Sequence, residues 1–78
     1  MAYFEFAWTP EIEDHLAEHG VTWEDFERAV ENAYSMTRSR TSNRPACYGP
    51  ALDGRTLFCV FHRLDEFSIE PVTAFFLE

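Results

Sequence analysis

The 78-residue chain contains no lysine, so all six of its basic side chains other than histidine are arginines. It has only two cysteines, too few for a disulfide scaffold or a four-cysteine zinc site. Its three glycines form no phosphate-binding loop, and no serine lies in the motif of a hydrolase nucleophile. The sequence therefore argues against nucleotide hydrolysis and serine-hydrolase chemistry, and we expect both cysteines to be free thiols.

Long apolar runs are also missing. No run approaches the roughly 20 residues that span a bilayer, and residues 1–8 lack the basic and apolar regions of a signal peptide. We therefore expect one cytoplasmic domain without membrane contact. Apolar side chains nevertheless make up 46% of the chain, and 17% of the residues are aromatic. Because a domain of this size buries only about 60% of the surface of its unfolded chain, the aromatic side chains must supply much of a single core.

Charge is distributed unevenly around a formal net value of −8. Residues 1–34 carry nine acids and one arginine, and residues 64–78 carry four acids. Residues 35–63 instead carry five arginines and one acid. This middle segment can supply the local positive potential that phosphate binding requires, and the planar guanidinium suits bidentate phosphate or carboxylate contacts. The alternative is that these arginines lie on solvated strand faces and pair with acidic helices.

Two short helices are predicted in the first half. Thr9 supplies an N-cap before a helix that we expect to run from residue 10 to about residue 19, and Gly20 supplies the left-handed residue that ends it. Thr22 caps a second helix, which has an acidic first turn and ends near Asn32. Apolar side chains recur along this helix at helical spacing and are expected to face a sheet: Trp23, Phe26, Ala29, Val30 and Ala33.

The other segments alternate as strands do. A first strand is predicted over residues 3–7, and a four-strand meander over residues 35–41, 45–52, 56–62 and 67–77. Turns are predicted at Ser42-Asn43, at Asp53-Gly54 with positive φ at both residues, and at residues 64–66. In the last strand Pro71 removes a ladder donor, which implies an edge, a bulge or a break.

The predicted fold class is α+β, a single domain over residues 1–78 with two short helices packed on one face of a four- or five-stranded antiparallel meander sheet. The predicted core consists of Phe4, Phe6, Trp8, Leu16, Phe26, Val30, Leu57 and Val60. Phe58, Phe75 and Phe76 add more aromatic surface than one small core hides, which predicts a homodimer or an obligate partner.

Two groups of side chains partly match the spacing of metal ligands in known sites. His15 and His19 stand four residues apart on one helix and could share a metal, although Leu16 occupies the position of the glutamate in the metalloprotease motif. The alternative for His19 is an interaction with the last carbonyls of the helix. Cys47, Cys59 and His62 could form a cluster, but two small residues in adjacent strands are a simpler explanation. We therefore expect no metal and no cofactor.

The arginines suggest contacts with RNA. Arg38 and Arg40 are two residues apart, so a strand presents both on one face. Arg44 and Arg55 complete the set of predicted RNA-binding residues, with Tyr48 or Phe58 available for base stacking. We expect no direct contact with DNA.

The order of a strand, two short helices and an antiparallel meander resembles the BrnT-like members of the RelE/ParE superfamily of toxin ribonucleases. The residues that carry the resemblance are Phe6-Ala7-Trp8, His19-Gly20-Val21-Thr22 with Asp25 and Phe26, Arg44, Gly49, Gly54-Arg55 with Leu57 and Val60, and Val72-Thr73-Ala74. The resemblance implies an antiparallel sheet packed on two helices, a cognate antitoxin protein as partner, and cleavage of messenger RNA.

The sequence also departs from that family. Phe75 follows Ala74, where BrnT-like toxins commonly carry an arginine, and residues 9–19 contain no lysine or arginine. A cleaving member would be a metal-independent ribonuclease in which Arg44 or Arg55 stabilises the phosphorane and His62 or His19 moves a proton. With a weakened catalytic set, the alternative is a noncatalytic protein-interaction module that keeps the superfamily fold.

Overall fold

The computed structural model describes residues 4–41 and 43–77. Tyr3 of the predicted first strand and Ser42 of the predicted first turn lie outside the described residues. The elements are β1 (Glu5–Phe6), α1 (Pro10–Ala17), α2 (Trp23–Glu31), β2 (Ser35–Arg38), β3 (Pro45–Pro50), β4 (Thr56–Arg63) and β5 (Ser68–Phe76). The predicted α+β fold class is confirmed, because two helices pack on a five-stranded, mostly antiparallel sheet. Neither described helix has the length and apolar character needed to cross a membrane.

The strands lie in the order β1-β5-β4-β3-β2. The last four form the predicted antiparallel meander, whereas β1 pairs in parallel with β5 over two residues, which the prediction did not include. From β1 the chain passes through both helices and returns to the opposite edge of the sheet at β2. Beside Pro71, the register of β4 with β5 skips Val72, so the predicted irregularity is a bulge.

Local side-chain and backbone bonds fix the helix ends. The Thr9 hydroxyl accepts the Ile12 N–H at 3.2 Å at the start of α1. Gly20 has a φ of 75°, and the Val21 N–H donates to the Leu16 carbonyl at 3.0 Å, which closes the helix at Ala17, two residues before the predicted end. Asn32 is the C-cap of α2, as the sequence predicted.

The core lies between the helices and one face of the sheet. Leu16, Phe26, Val30 and Leu57 are buried there as predicted, while Phe4, Phe6 and Trp8 pack against it partly exposed. One prediction is wrong: Trp23 is 47% exposed, because it stands at the first position of α2. Val60 is buried as predicted, on the face of the sheet opposite the helices.

The two cysteines face each other across β3 and β4, and both are free and fully buried. The hydrogen bond with Cys47, together with burial, raises the pKa of the Cys59 thiol, so this thiol stays protonated. Among the described residues, no group of three metal-ligating side chains comes together. Cys47 and Cys59 thus lie as small residues in adjacent strands.

The hairpin between β3 and β4 differs from the predicted two-residue turn. The Ala51 N–H donates to Arg55, the Gly54 N–H donates back to Ala51, and only Gly54, with a φ of 89°, has positive φ. The loop thus has three residues ending in a left-handed glycine. Asp53 stabilises it, because the Arg55 N–H donates to one carboxylate oxygen at 3.0 Å and the guanidinium to the other at 2.6 Å. These bonds lower the pKa of Asp53.

Asp25 joins α2 to this hairpin. One oxygen of its carboxylate accepts the Thr22 N–H at 3.2 Å and the Thr22 hydroxyl at 3.0 Å, which completes a capping box. Its other oxygen accepts the Leu52 N–H at 3.0 Å.

We expect Asp25→Ala to lower the free energy of unfolding by about 2–3 kcal/mol in a urea titration, because a cap and a buried acceptor are lost together. Glu24→Ala, an exposed acid of the same turn, should change it by less than about 0.5 kcal/mol. Equal losses of stability in the two variants would show that Asp25 contributes only its negative charge near the start of α2, and not its hydrogen bonds.

Candidate functional site

Three aromatic rings form a continuous row on the face of the sheet opposite the core that the helices cover. Tyr48 on β3 lies opposite Phe58 on β4, which in turn lies opposite Phe75 on β5. The ring centroids are 4.9 Å and 5.2 Å apart. Because Leu57 and Cys59 are in the core under the helices, the alternation of β4 directs Phe58 to the other side. We call this side the groove face, and the three rings the aromatic row.

A groove of about 480 Å³ lies over the aromatic row. Its remaining walls are Val60, Thr73 and the segment 37–41, which includes the end of β2 and the start of the following loop. Arg38 and Arg40 are both part of that segment, and the described residues that line the groove include no acid. The aromatic rings therefore share one concave surface with a segment that carries two arginines.

Hydrogen bonds within the loop hold these arginines beside the groove. The Ser39 N–H donates to the Arg44 carbonyl at 2.8 Å, and the Asn43 N–H donates back to Ser39 at 2.8 Å. Asn43 adopts the left-handed conformation with a φ of 57° and accepts a 3.1 Å hydrogen bond from the Arg38 guanidinium. Across residues 4–41 and 43–77, the only ion pair joins Arg55 to Asp53, so neither Arg38 nor Arg40 is neutralised by a described carboxylate.

The charge of the domain is divided between its two sides. The helix layer, residues 9–32, holds eight acids and a single arginine, and its core side chains pack against the face opposite the groove, although His15 of α1 reaches the groove wall at Thr73. Because interactions between exposed charges fade beyond a Debye length of about 8 Å, the sheet separates the groove from most of the acidic field. The net charge of −8 is thus compatible with positive potential in the groove.

Arg44 and Arg55, the other two predicted RNA-binding residues, lie outside the groove lining. Arg55 pairs with Asp53, and its guanidinium sits 3.8 Å from the centroid of the Phe76 ring. Arg44 precedes β3, whose far end, Pro50, pairs with Thr56 beside Arg55. Six residues of strand separate these ends by about 20 Å at roughly 3.4 Å per residue. The two arginines therefore cannot hold the same phosphate.

Neither of the two predicted catalytic histidines is among the residues that line the groove. His19 follows α1, with its ring centroid 5.4 Å from that of His15, and His15 shares a 3.1 Å hydrogen bond with the groove-lining Thr73. His62 is exposed on β4 opposite Glu70, on the same face of the strand as Phe58 and Val60. The described residues thus bring Arg38 and Arg40 together with Tyr48 and Phe58, but do not bring the predicted catalytic set into one site.

The sequence analysis did not assign Phe75 to this site. A strict alternation from Ile69 along β5 would have turned Phe75 toward the helices, but the bulge at Val72 reverses the alternation and presents it on the groove face. The only sequence signal for this reversal is Pro71, which predicted an irregularity without giving its sense.

Comparisons with known protein families, curated proteins and solved structures find no match to this chain. The groove itself must therefore carry the functional argument.

Proposed function

We propose that this domain binds single-stranded RNA in the groove and does not cleave it. One observation carries the proposal: the aromatic row and two arginines without a described ion-pair partner line the same concave surface, with no acid among its described lining residues. Rings of this kind can accept the faces of unpaired bases, and guanidinium groups can contact the phosphates that connect them.

Stacking favours a single strand over a duplex. Bases in a duplex are already stacked on their neighbours, whereas unpaired bases can lie on aromatic side chains, each contributing about 1–3 kcal/mol with little dependence on sequence. Three adjacent rings, at 4.9 Å and 5.2 Å centroid spacing, offer a platform for a short run of nucleotides. The net charge of −8 opposes the approach of any polyanion, so we expect modest affinity that falls with salt.

The resemblance to BrnT-like toxins supports RNA rather than DNA as the ligand. The same resemblance would supply a cognate antitoxin as protein partner and a cytoplasmic location. Cleavage is left out of the proposal because none of Arg44, Arg55, His19 and His62 is among the residues that line the groove. The proposal is therefore a noncatalytic, RNA-binding relative of such toxins.

Arg40 provides the test. We expect Arg40→Gln to reduce the slope of the logarithm of the association constant against the logarithm of salt concentration by about 0.7, the value of one phosphate contact on a single strand. Fluorescence anisotropy with a mixed-sequence pool of single-stranded oligoribonucleotides measures this slope. Arg28→Gln is the matched control, because it removes the same charge from the exposed side of α2 and should leave the slope unchanged. Equal changes in both variants would reject a groove-specific contact.

A second candidate function is a noncatalytic protein-interaction module. The net charge of −8 and the apolar lining that Val60 adds to the aromatic row favour this candidate. If the RNA pool shows no binding at low salt, and expression in a host without an antitoxin causes no growth arrest, the RNA proposal fails and the interaction module remains.

A further inference from the structure

Strand β2 forms one edge of the sheet, and all four of its residues are exposed. Its register with β3 fixes the direction of its main-chain groups. The Ser39 N–H donates to the Arg44 carbonyl, so Ser39 points its main-chain groups toward β3. Thr37, two residues earlier and opposite Ala46, is in the same register. Because main-chain groups alternate along a strand, Ser35 and Thr37 turn theirs toward β3, whereas Met36 and Arg38 turn theirs to the free edge.

An edge with open hydrogen-bonding groups is a template for another strand. Many proteins block such edges with lysine or proline, and β2 contains neither. The residues flanking its free edge are also apolar, since Met36 is 56% and Tyr34 is 64% exposed. This edge is therefore suited to pairing.

We propose that two copies of this chain pair through their β2 strands, antiparallel, about a two-fold axis at Thr37. In this register Met36 of each copy faces Arg38 of the other, and the outward N–H and C=O groups of both residues find partners. Thr37 faces Thr37 across the axis, a favourable cross-strand pair. The two open positions are symmetric about Thr37, so the edge is complementary to itself.

Charge complementarity supports a second copy as the occupant. Met36 lines a smaller groove of about 360 Å³ on the helix side of β2, together with Glu31, Val30, Ala33 and Phe4. Pairing places Arg38 of the second copy opposite Met36 and within reach of this Glu31. By symmetry, each copy places its Arg38 near the Glu31 of the other copy. These two attractive pairs offset part of the repulsion between two chains of net charge −8.

Such a dimer extends the groove face. A two-fold axis perpendicular to the sheet keeps the same face of both copies on one side, so two five-stranded sheets join into one. The two aromatic rows then share a surface. The pairing itself uses only the β2 edge, and it holds whether or not the groove binds RNA.

Hydrogen exchange across a series of protein concentrations tests the pairing without any substitution. We expect the amides of Met36 and Arg38 to become protected as concentration rises, while the Thr37 amide, already bonded to β3, is protected throughout. If Met36 and Arg38 exchange equally fast at every concentration, the pairing is wrong.

Sedimentation with Met36→Pro gives the second test. Proline removes the outward N–H without removing a bond to β3, so we expect self-association to weaken about thirtyfold through the loss of two main-chain hydrogen bonds. Met36→Val keeps the N–H and should associate as the original chain does. Equal association of Met36→Pro and the original chain would overturn the proposal.

A charge exchange decides the matter if the proline variant fails to fold. Glu31→Arg and Arg38→Glu should each self-associate more weakly, because each creates like charges across the axis. An equal mixture of the two variants should form a heterodimer, because opposite charges face each other again. A mixture that associates no better than either variant alone would contradict the proposed interface.

Discussion

Replacing Gly49 with alanine is expected to lower the free energy of unfolding by about 3 kcal/mol, the largest loss that we expect from a single methyl group in this chain. A Cβ atom at this position would overlap the carbonyl oxygen of Ala29 and lie 2.7 Å from its carbonyl carbon. These atoms belong to the backbone of α2, so no side-chain rotation can relieve the contact. Gly49 is thus the point at which α2 approaches β3 closely enough to close the core.

Thermal unfolding measures this loss. A change of 1 kcal/mol shifts Tm by roughly 4–8 °C in a domain of this size, so a fall of about 15 °C is expected. Gly54→Ala is the matched control, because nothing lies within 4 Å of its added Cβ but its φ is 89°. It should cost only about 1 kcal/mol of backbone strain. If the two variants lost equal stability, the close approach of α2 and β3 would not be the cause.

Phe58→Ala is expected to weaken binding of single-stranded RNA about tenfold to a hundredfold, because alanine substitution of a stacking residue costs about 1–3 kcal/mol per base. Phe58 is the central ring of the aromatic row, with Tyr48 on one side and Phe75 on the other. Anisotropy titrations at fixed low salt measure the change in affinity. Because Phe58 is half-buried, thermal unfolding is used to check that the variant still folds.

Phe67→Ala is the matched control for this substitution. Phe67 is 61% exposed and does not line the groove, so its loss should leave RNA affinity unchanged. Phe58→Tyr keeps the ring and should retain most of the affinity. An unchanged RNA affinity for Phe58→Ala, or an equal loss of affinity for Phe67→Ala, would show that bases do not stack on Phe58.

The parts of the fold that depend on neighbouring residues were predictable from the sequence. The caps at Thr9 and Thr22 and the stop at Gly20 rest on bonds within a few residues, and all three stand in the structure where the sequence predicted them. The pairing of β1 was not predictable in this way. It depends on where two helices return the chain, and a two-residue strand carries too little pattern to indicate a partner.

The groove was only partly predictable for the same reason. Tyr48 and Phe58, the predicted candidates for base stacking, both line the groove. The prediction that one strand presents Arg38 and Arg40 on the same face is wrong, because β2 ends at Arg38 and Arg40 lies in the following turn. The alternation of side chains reverses at a bulge, so the bulge at Val72 made the direction of Phe75 unpredictable from the sequence. The position of Arg55 was decided by local partners, Asp53 and Phe76, that the overall charge pattern could not reveal.

One measurement tests the central claim most directly: an NMR titration of the protein with a short, mixed-sequence single-stranded oligoribonucleotide at low salt. We expect the ring resonances of Tyr48, Phe58 and Phe75 and the amides of residues 38–41 to shift together and to saturate together, while resonances of the helix layer stay in place. No shift at any ratio, or shifts confined to the helix layer, would contradict the assignment of the groove as an RNA-binding site.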